Sequence, residues 1–356
     1  MTTSTSPVIP TGSTILVTGA NGFIASHVAD QFIKNGYKVR GTVRDIEKSS
    51  WLNAYFEKTY GKSHFELVSV PDMLAGNAYD EVVKGSVSAF IHTASIVSFD
   101  PDPNNVIPTA KESALVALKA SYKEPSVKRF VLTSSSSTTL AANPETFMEM
   151  KGAVVTEDTW SPDAKELAWT PGPWGPEHGA FVYVASKVEQ EQAVWKYHEE
   201  NKSRRPDLVV NSVLPSMNLG KSLDVVNQGH RSTSGFILPF LEGQRMPPHF
   251  SHPQYFIDVQ DDAILHVAAA ILPDVKSERI FGFAESFCWD DVLKILRKQH
   301  PGKNIHENFA SEPFPVIIKP VDRAEALLKR LGQPGWTSLE DSLRMNTEDL
   351  KAEISA

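Results

Sequence analysis

The sequence predicts an α/β fold in which a doubly wound parallel sheet is followed by a smaller mixed C-terminal lobe. Apolar runs typical of buried strands alternate with helical patterns up to Pro215. Such alternation favours a parallel sheet covered by helices on both faces, because consecutive parallel strands need a crossover connection. After Pro215 the alternation weakens. We therefore expect one main domain over residues 14–215 and a second lobe, mainly substrate-binding, over residues 216–356.

The individual elements follow from the apolar spacing and from glycine positions. The predicted strands are short apolar runs at residues 14–18, 37–43, 65–70, 87–92, 129–133 and 208–214. The predicted helices between them cover residues 22–35, 109–123 and a segment that carries Tyr183 and ends near Asn201, and Gly36 stands where the first should end. Residues 256–259 return to strand character. A helix over residues 261–272 is expected to pack back on the main sheet, so residues 256–272 are predicted to return to it.

Two segments lack this alternation of strand and helix patterns. Residues 1–13 are polar, contain Pro7 and Pro10, and predict a flexible tail. Residues 140–181 contain Trp160, Trp169, Trp174 and five prolines. A loop of this length inside a compact domain is often functional, which favours a lid or a pocket wall. The alternative is an ordered surface insertion whose tryptophans simply pack.

Composition limits the class of protein. The 356 residues carry a net charge of −8, and no basic tract is present, which argues against nucleic acid as a partner. The single cysteine, Cys288, excludes an intrachain disulfide and a multi-cysteine metal site. His249 and His252 lack a third ligand of suitable spacing, so no metal is expected. No export signal and no membrane-length apolar run occur, and we expect a cytoplasmic protein.

A glycine-rich turn predicts a dinucleotide site. Gly19 and Gly22 lie between the first strand and the first helix, where glycine allows a sharp turn and a close approach to a pyrophosphate. The helix N-terminus then offers free N–H groups and the positive end of its dipole to that anion. Ala25 takes the third small position of the pattern. The other residues of the turn assigned to the cofactor are Asn21, Phe23 and Ile24.

The end of the second strand indicates which dinucleotide binds. An acidic residue at this point would hold a ribose 2′-hydroxyl, but the sequence has Arg44 there. A guanidinium grips a 2′-phosphate with paired hydrogen bonds, so Arg44 predicts NADP. Arg40 and Lys48 add positive charge nearby, although both also fit ordinary solvated surface charges.

Further cofactor contacts are expected where other strands end, because ligands of open α/β sheets bind at the carboxyl ends of the strands. Small residues there would let the cofactor pass close to the backbone, and a plain tight loop is the competing interpretation. The residues assigned in this way are Asp72, Met73, Thr93, Ala94, Ser95, Ser134 and Pro215.

Tyr183 and Lys187 form the candidate catalytic pair. They lie one helical turn apart and so on one face of their helix. A phenol gives up its proton poorly at neutral pH, and a nearby ammonium lowers the phenol pKa. The run Thr133-Ser134-Ser135-Ser136-Ser137 ends the fifth strand, and a serine there could donate to a carbonyl oxygen. The chemistry alone leaves open which serine does so.

Together these motifs resemble the extended short-chain dehydrogenase/reductase family, within it the branch of dihydroflavonol reductases and fungal NADPH-dependent aldehyde reductases. The residues that carry the resemblance are VTGANGFIA at 17–25, GYKVRGTVR at 36–44, ASIVSF at 94–99, RFVLTSS at 129–135, YVASK at 183–187 and GWTSLEDS at 335–342. It extends from about Ser13 to Leu343. Asp72 and Met73 follow Val70-Pro71, where relatives more often have Asp-Leu after a small residue.

The resemblance implies a Rossmann fold, NADPH as the cofactor and Ser135 as the catalytic serine. It further implies that Lys187 contacts the nicotinamide ribose, and that Ser135 and Tyr183 hydrogen-bond the carbonyl oxygen of an aldehyde or ketone. Tyr183 would then protonate the developing alkoxide. The expected pocket lies between the cofactor and the smaller lobe, with the apolar walls Val97, Phe99, Trp174, Phe181, Met217 and Phe236.

Three other functions fit the same pattern less well. A sugar-nucleotide epimerase or dehydratase would hold NAD tightly, and Arg44 argues against NAD. A non-catalytic NADP-sensing protein would not need the intact set of Ser135, Tyr183 and Lys187. The third is a hydroxysteroid dehydrogenase, which the sequence does not exclude.

Overall fold

The computed structural model of the protein describes residues 6–244 and 252–350. In chain order the strands are β1 (Thr14–Thr18), β2 (Lys38–Val43), β3 (Phe65–Ser69), β4 (Val87–His92), β5 (Arg129–Thr133), β6 (Val154–Val155), β7 (Val209–Pro215), β8 (Met217–Leu219), β9 (Gln254–Asp258), β10 (Arg279–Gly282), β11 (Glu285–Phe287) and β12 (Ile317–Ile318). The α-helices are α1 (Phe23–Lys34), α2 (Ser50–Tyr60), α3 (Pro103–Lys123), α4 (Pro144–Glu149), α5 (Ala164–Ala168), α6 (His178–Asn201), α7 (Val225–Gln228), α8 (Leu238–Leu241), α9 (Val259–Ile271), α10 (Trp289–Gln299), α11 (Val321–Arg330) and α12 (Leu339–Asn346).

The main sheet has seven strands in the order β10-β7-β5-β4-β1-β2-β3, and every neighbouring pair is parallel. The order reverses between β1 and β4, which is the topological switch point of a doubly wound sheet. Because all seven strands run the same way, their carboxyl ends meet at one edge of the sheet. The predicted fold class, a Rossmann sheet followed by a smaller mixed lobe, is confirmed.

Helices cover both faces of this sheet because successive side chains of a strand point to opposite faces. In β1, Ile15 and Val17 pack in a cluster with α1, α9 and α11, whereas Leu16 packs in a second cluster with α3 and α6. All three side chains are fully buried. A strand buried on both faces reads as a continuous apolar run, and this explains why the sequence located β1 so closely.

The region after Pro215 differs in part from the expectation. Helix α9 packs against α1 and the main sheet. Strand β9, however, pairs with β8 and β11 in a separate three-stranded sheet. The seventh strand of the main sheet is β10, which pairs with β7. The smaller lobe is thus a mixed sheet packed on α10 and α12 around Trp289 and Phe240.

The N-terminal tail is more ordered than the sequence predicts. Residues 1–5 lie outside the described part, but Ile9 is only 1% exposed. The backbone N–H of Val8 donates to the Ile271 carbonyl, and the Tyr37 hydroxyl donates to the Ile9 carbonyl. The buried Ile9 side chain and these two hydrogen bonds therefore anchor this segment beside the end of α9.

The insertion at residues 140–181 packs against other parts of the protein. Strand β6 within it pairs with β12 from the C-terminal region. The Trp160 ring lies under the Arg279 guanidinium at 3.9 Å, and the Trp169 indole N–H donates to Glu189. Helix α5 packs against α6. These contacts favour the ordered insertion over a free lid.

Candidate functional site

The glycine-rich turn has the geometry that an anion requires. Gly19 has a φ of +65°, and a Cβ there would stand 3.3 Å from Cα and Cβ of Ala94. The Gly22 N–H donates to the Gly19 carbonyl at 2.8 Å and closes the turn. Helix α1 then starts with Gly22 as N-cap, without a side-chain cap and without an acidic residue in its first turn. Its N-terminal N–H groups and positive dipole end are available to a pyrophosphate.

Gln228, which no sequence pattern marks as functional, holds this turn from a segment that lies after Pro215. The Gln228 carboxamide, at the end of α7, is 2% exposed. Its Nε2 donates to the Gly22 carbonyl at 3.1 Å and to Ser26 Oγ at 2.9 Å, and a longer contact reaches the Asn21 carbonyl. Its Oε1 accepts the N–H of Leu223. The segment around α7 is therefore tied to the N-terminus of α1.

Thr18 organises the neighbouring loop after β4. Its Oγ1 accepts the N–H groups of Thr93 and Ala94 at 3.1 and 2.9 Å, and it pairs with Nδ1 of the buried His92. The Thr93 hydroxyl donates to the Thr18 carbonyl. Burial, reinforced by the charge of Lys187, lowers the pKa of His92 to about 3, so its ring is neutral at physiological pH. The loop after β4 is thereby fixed against the glycine turn.

The charges near the end of β2 separate into two groups. Arg44 directly follows β2 and is exposed, as is Lys48, whose ammonium lies 3.5 Å from Asp45. Arg40 instead donates to Glu66 at 2.6 Å and to the carbonyls of Val82 and Lys84. These contacts direct the Arg40 guanidinium to Glu66 and two carbonyls, which does not favour the expected contribution of Arg40 at the cofactor.

The other cofactor candidates lie at the carboxyl ends of their strands. Asp72 follows β3 and accepts the N–H of Leu74, while Met73 packs in the core cluster on the α3 and α6 face. Asn21 of the glycine turn donates to Ser49 Oγ at 3.1 Å. Pro215 is the last residue of β7 and pairs in register with Gly282.

Ser135, Tyr183 and Lys187 come together at this same edge. Ser135 is the second residue after β5, and its Oγ accepts the N–H and the hydroxyl of Ser137 at 3.2 and 2.9 Å. The Ser135 side chain acts on Tyr183 as well, since it opposes the rise that burial causes in the pKa of the phenol. Lys187, 5% exposed, donates from Nζ to Ser95 Oγ at 3.0 Å. The loops after β4 and β5 thus both contact one face of α6.

The pKa values differ from the expectation for a lysine-activated tyrosine. Burial raises the pKa of Tyr183, and the hydrogen bond with Ser135 opposes that rise. Burial also lowers the pKa of Lys187 to about 8, against the opposing charge of Glu191. The expected lowering of the Tyr183 pKa by Lys187 is therefore wrong for this structure, in which the ammonium is directed to Ser95. A raised pKa keeps the phenol protonated at neutral pH.

Ser134 has a different partner from the one expected. It was predicted to contact the cofactor, but its hydroxyl donates to the buried carboxylate of Glu191 at 2.7 Å. Glu191 lies one turn after Lys187 on α6, a spacing that could have marked it in the sequence. Ser134 is 4% exposed, so its side chain faces the interior rather than the sheet edge.

The six candidate pocket residues have different neighbours in the structure. Phe99 lies 5.3 Å from the Tyr183 ring between centroids, and a Cβ at Gly179 would overlap the Phe99 carbonyl, so this loop closely approaches α6. Val97 in the same loop is 61% exposed. Trp174 and Phe181 flank the His178 ring, and Met217 and Phe236 pack on the core of the smaller lobe.

A cavity of about 840 Å³ lies elsewhere, beside β10 and α6, and its lining includes Trp160, Trp195, Arg279 and Phe281. None of the candidate catalytic residues lines it. Within residues 6–244 and 252–350, no group of three His, Cys, Asp or Glu side chains is placed to hold a metal ion. His249 lies outside these residues, and the His252 ring packs on Phe147. In the same part of the chain, no helix has the length and apolarity to cross a membrane.

Comparison with known proteins agrees with this architecture. The family model for the NAD dependent epimerase/dehydratase family matches residues 15–281. Aldehyde reductase 2 of Sporidiobolus salmonicolor is 38% identical over 338 residues, 95% of this chain and 96% of its own. A ketoreductase of Penicillium rubens is 40% identical over 354 residues, 96% of this chain and 98% of its own.

A solved structure has the same fold. The yeast methylglyoxal/isovaleraldehyde reductase, whose crystal structure is a complex with NADPH, superimposes with a TM-score of 0.79. It is 23% identical to this chain, and the match covers 96% of this chain and all of the other. The chain belongs to the NAD dependent epimerase/dehydratase family, which confirms the resemblance to extended short-chain dehydrogenases/reductases.

Proposed function

We propose that the protein is an NADPH-dependent carbonyl reductase that converts aldehydes or ketones to alcohols. The observation that carries this proposal is the meeting of Ser135, Tyr183 and Lys187 at the sheet edge that also carries the glycine turn. The family relatives named as an aldehyde reductase and a ketoreductase, each matched over nearly its full length, support the same reaction class.

The residues present fit a dinucleotide. A Cβ added in the left-handed turn at Gly19 would crowd Ala94 at 3.3 Å, and the N-terminus of α1 has no side-chain cap of its own. In the proposal, the N–H groups of this turn hold the pyrophosphate, with Asn21, Phe23 and Ile24 completing the turn. When bound, the reduced nicotinamide supplies the hydride.

Arg44 is proposed to select NADPH over NADH. Its side chain is exposed at the carboxyl end of β2, next to the glycine turn, because β1 and β2 are adjacent parallel strands. An exposed guanidinium can pair with both oxygens of a 2′-phosphate, whereas a ribose hydroxyl offers no charge. Lys48 is proposed as a weaker, solvated contribution to the same phosphate site.

The proposed chemistry rests on two donors to one oxygen. Ser135 and Tyr183, whose side chains interact in this structure, both donate to the substrate carbonyl oxygen once it enters between them. Tyr183 gives its proton to this oxygen as negative charge develops. At neutral pH the phenol carries its proton, which is the form that a general acid requires. Lys187 holds a positive charge on the same face of α6 and orients the site through Ser95.

The substrate is proposed to bind beside the Phe99 ring, which lies against Tyr183 and is 43% exposed. An exposed aromatic side chain at the reacting group favours an apolar aldehyde or ketone. Val97 is proposed as part of the same wall. Trp174, Phe181, Met217 and Phe236 stay candidates for its outer part.

Replacing Tyr183 by phenylalanine tests the proposal. Loss of the general acid is expected to lower kcat by roughly two to four orders of magnitude. NADPH binding, followed by nucleotide fluorescence, should persist because the phenol is assigned to the carbonyl oxygen. Tyr197→Phe is the matched control: it removes a hydroxyl from the same helix, where the ring packs on Tyr122. Turnover of Tyr183→Phe close to that of the control would refute the assignment.

A further inference from the structure

A buried ion pair lies directly behind the candidate catalytic residues. The Glu191 carboxylate is completely buried and lies 2.9 Å from the Arg279 guanidinium. Two serine hydroxyls, those of Ser134 and Ser212, each donate to it at 2.7 Å, and the Trp195 indole N–H donates at 3.1 Å. A buried charge is tolerated when it is paired and fully hydrogen-bonded, as this carboxylate is.

The arginine of this pair connects three parts of the chain. From β10 it donates to both Glu191 oxygens on α6. It also donates to the carbonyls of Glu157 and Thr159 in the insertion, and to Thr138 Oγ1 just after the serine run. Its guanidinium stacks on Trp160. The planar guanidinium presents five donors in a fixed fork, so it fixes these partners relative to one another.

The position of Glu191 relates this network to the proposed chemistry. It lies one helical turn after Lys187 and two after Tyr183, so all three share a face of α6. Its oxygen Oε2 holds Ser134, whose neighbour in the chain is Ser135. The hydrogen bond between Ser134 and Glu191 thus links the loop after β5 directly to the helix that carries Tyr183.

We propose that Glu191, held by Arg279, is a positioning residue that fixes the loop after β5 against α6 through Ser134, and so sets the placement of Ser135 relative to Tyr183. This inference rests on the proposed function, because it assigns Ser135 and Tyr183 to the carbonyl oxygen. It changes the role of Ser134 from a cofactor ligand to the attachment point of the loop. Glu191 itself does not touch the substrate.

Two matched serine variants separate positioning from ordinary stabilisation. Ser134→Ala and Ser212→Ala each remove one buried hydroxyl that donates to the same carboxylate at the same distance. Both should lower the melting temperature by a similar amount. Ser134→Ala should also lower kcat about tenfold, while the KM for the carbonyl substrate and the NADPH dissociation constant stay within about twofold. Ser212→Ala should keep kcat within about twofold of the parent.

Each alternative result is informative. Equal kcat values for the two variants would show that the network only stabilises the fold, and would overturn the proposal. A loss confined to NADPH affinity in Ser134→Ala would return Ser134 to the cofactor site and would also overturn it. The proposed function is tested separately, since Tyr183→Phe would then still abolish most turnover. If Tyr183→Phe keeps its turnover, the proposed function fails instead.

Discussion

The glycine turn allows a prediction whose size follows from the structure. Replacing Gly19 by alanine adds a Cβ at a residue with a φ of +65°. The left-handed conformation costs an L-residue about 1–2 kcal/mol. The new Cβ would also stand 3.3 Å from two carbon atoms of Ala94, closer than the ordinary contact of about 3.5–4.0 Å.

This crowding distinguishes Gly19 from other left-handed glycines. Gly332 has a φ of +92°, but nothing lies within 4 Å of a Cβ built there. Both alanine variants should therefore lose about 1–2 kcal/mol of unfolding free energy from backbone strain. Only Gly19→Ala must also move the loop after β4, where Thr93 and Ala94 border the proposed cofactor path.

Denaturant unfolding and NADPH titration measure the two effects separately. We expect the NADPH dissociation constant of Gly19→Ala to rise at least about tenfold, which corresponds to about 1.4 kcal/mol. Gly332→Ala should bind NADPH like the parent despite its reduced stability. If both variants bind NADPH equally well, the turn does not carry the pyrophosphate and the reasoning fails.

Three further predictions concern charge and lobe contacts. As the pH rises, Lys187 is the first catalytic residue to lose a proton, because its pKa is about 8 and the pKa of Tyr183 is raised. The value of kcat/KM for reduction should therefore fall above about pH 8. A kcat/KM that stays constant up to pH 9.5 would contradict this. Arg44→Ala should weaken NADPH binding by about one to two orders of magnitude and leave NADH binding unchanged in fluorescence titrations, reflecting one lost charge-assisted pair. Gln228→Ala leaves the Leu223 N–H without its acceptor and removes the hydrogen bonds between α7 and the start of α1, so the NADPH affinity should fall severalfold. The control is Gln244→Ala at the surface, which should not lower the NADPH affinity in this way.

Much of the main domain could be predicted because its signals are local. Strands β1, β4 and β5 are continuous apolar runs buried on both faces, and their bounds agree with the sequence prediction. The approach of Tyr183 and Lys187 to the glycine-turn edge also follows from pattern, because parallel strands bring their carboxyl ends together.

Other features depend on contacts between distant residues. Strand β10 has only four residues, and its pairing with β7 across more than sixty residues leaves no local signal. Strand β9 reads correctly as a strand, but its residues do not encode which sheet it joins. Gln228 reaches the glycine turn 206 residues earlier in the chain, and a lone glutamine after a short helix resembles any surface glutamine.

Charge patterns were the least reliable guide. Arg40 lies in β2 and Arg44 directly follows that strand, yet Arg40 is bound to Glu66 and two carbonyls whereas Arg44 is exposed. The pKa of Tyr183 likewise depends on burial more than on its spacing from Lys187. The spacing of residues in the sequence shows which side chains can lie close together. Their charge states also depend on burial and on the other residues that each side chain contacts.

The central proposal, NADPH-dependent carbonyl reduction, is tested most directly by absorbance at the reduced-nicotinamide band. Purified protein is mixed with NADPH or with NADH and a panel of apolar aldehydes and ketones. We expect consumption of NADPH with at least one carbonyl compound and much slower consumption of NADH. Turnover with NADH alone would contradict the role of Arg44, and binding of NADPH without its oxidation across the panel would contradict the reductase assignment.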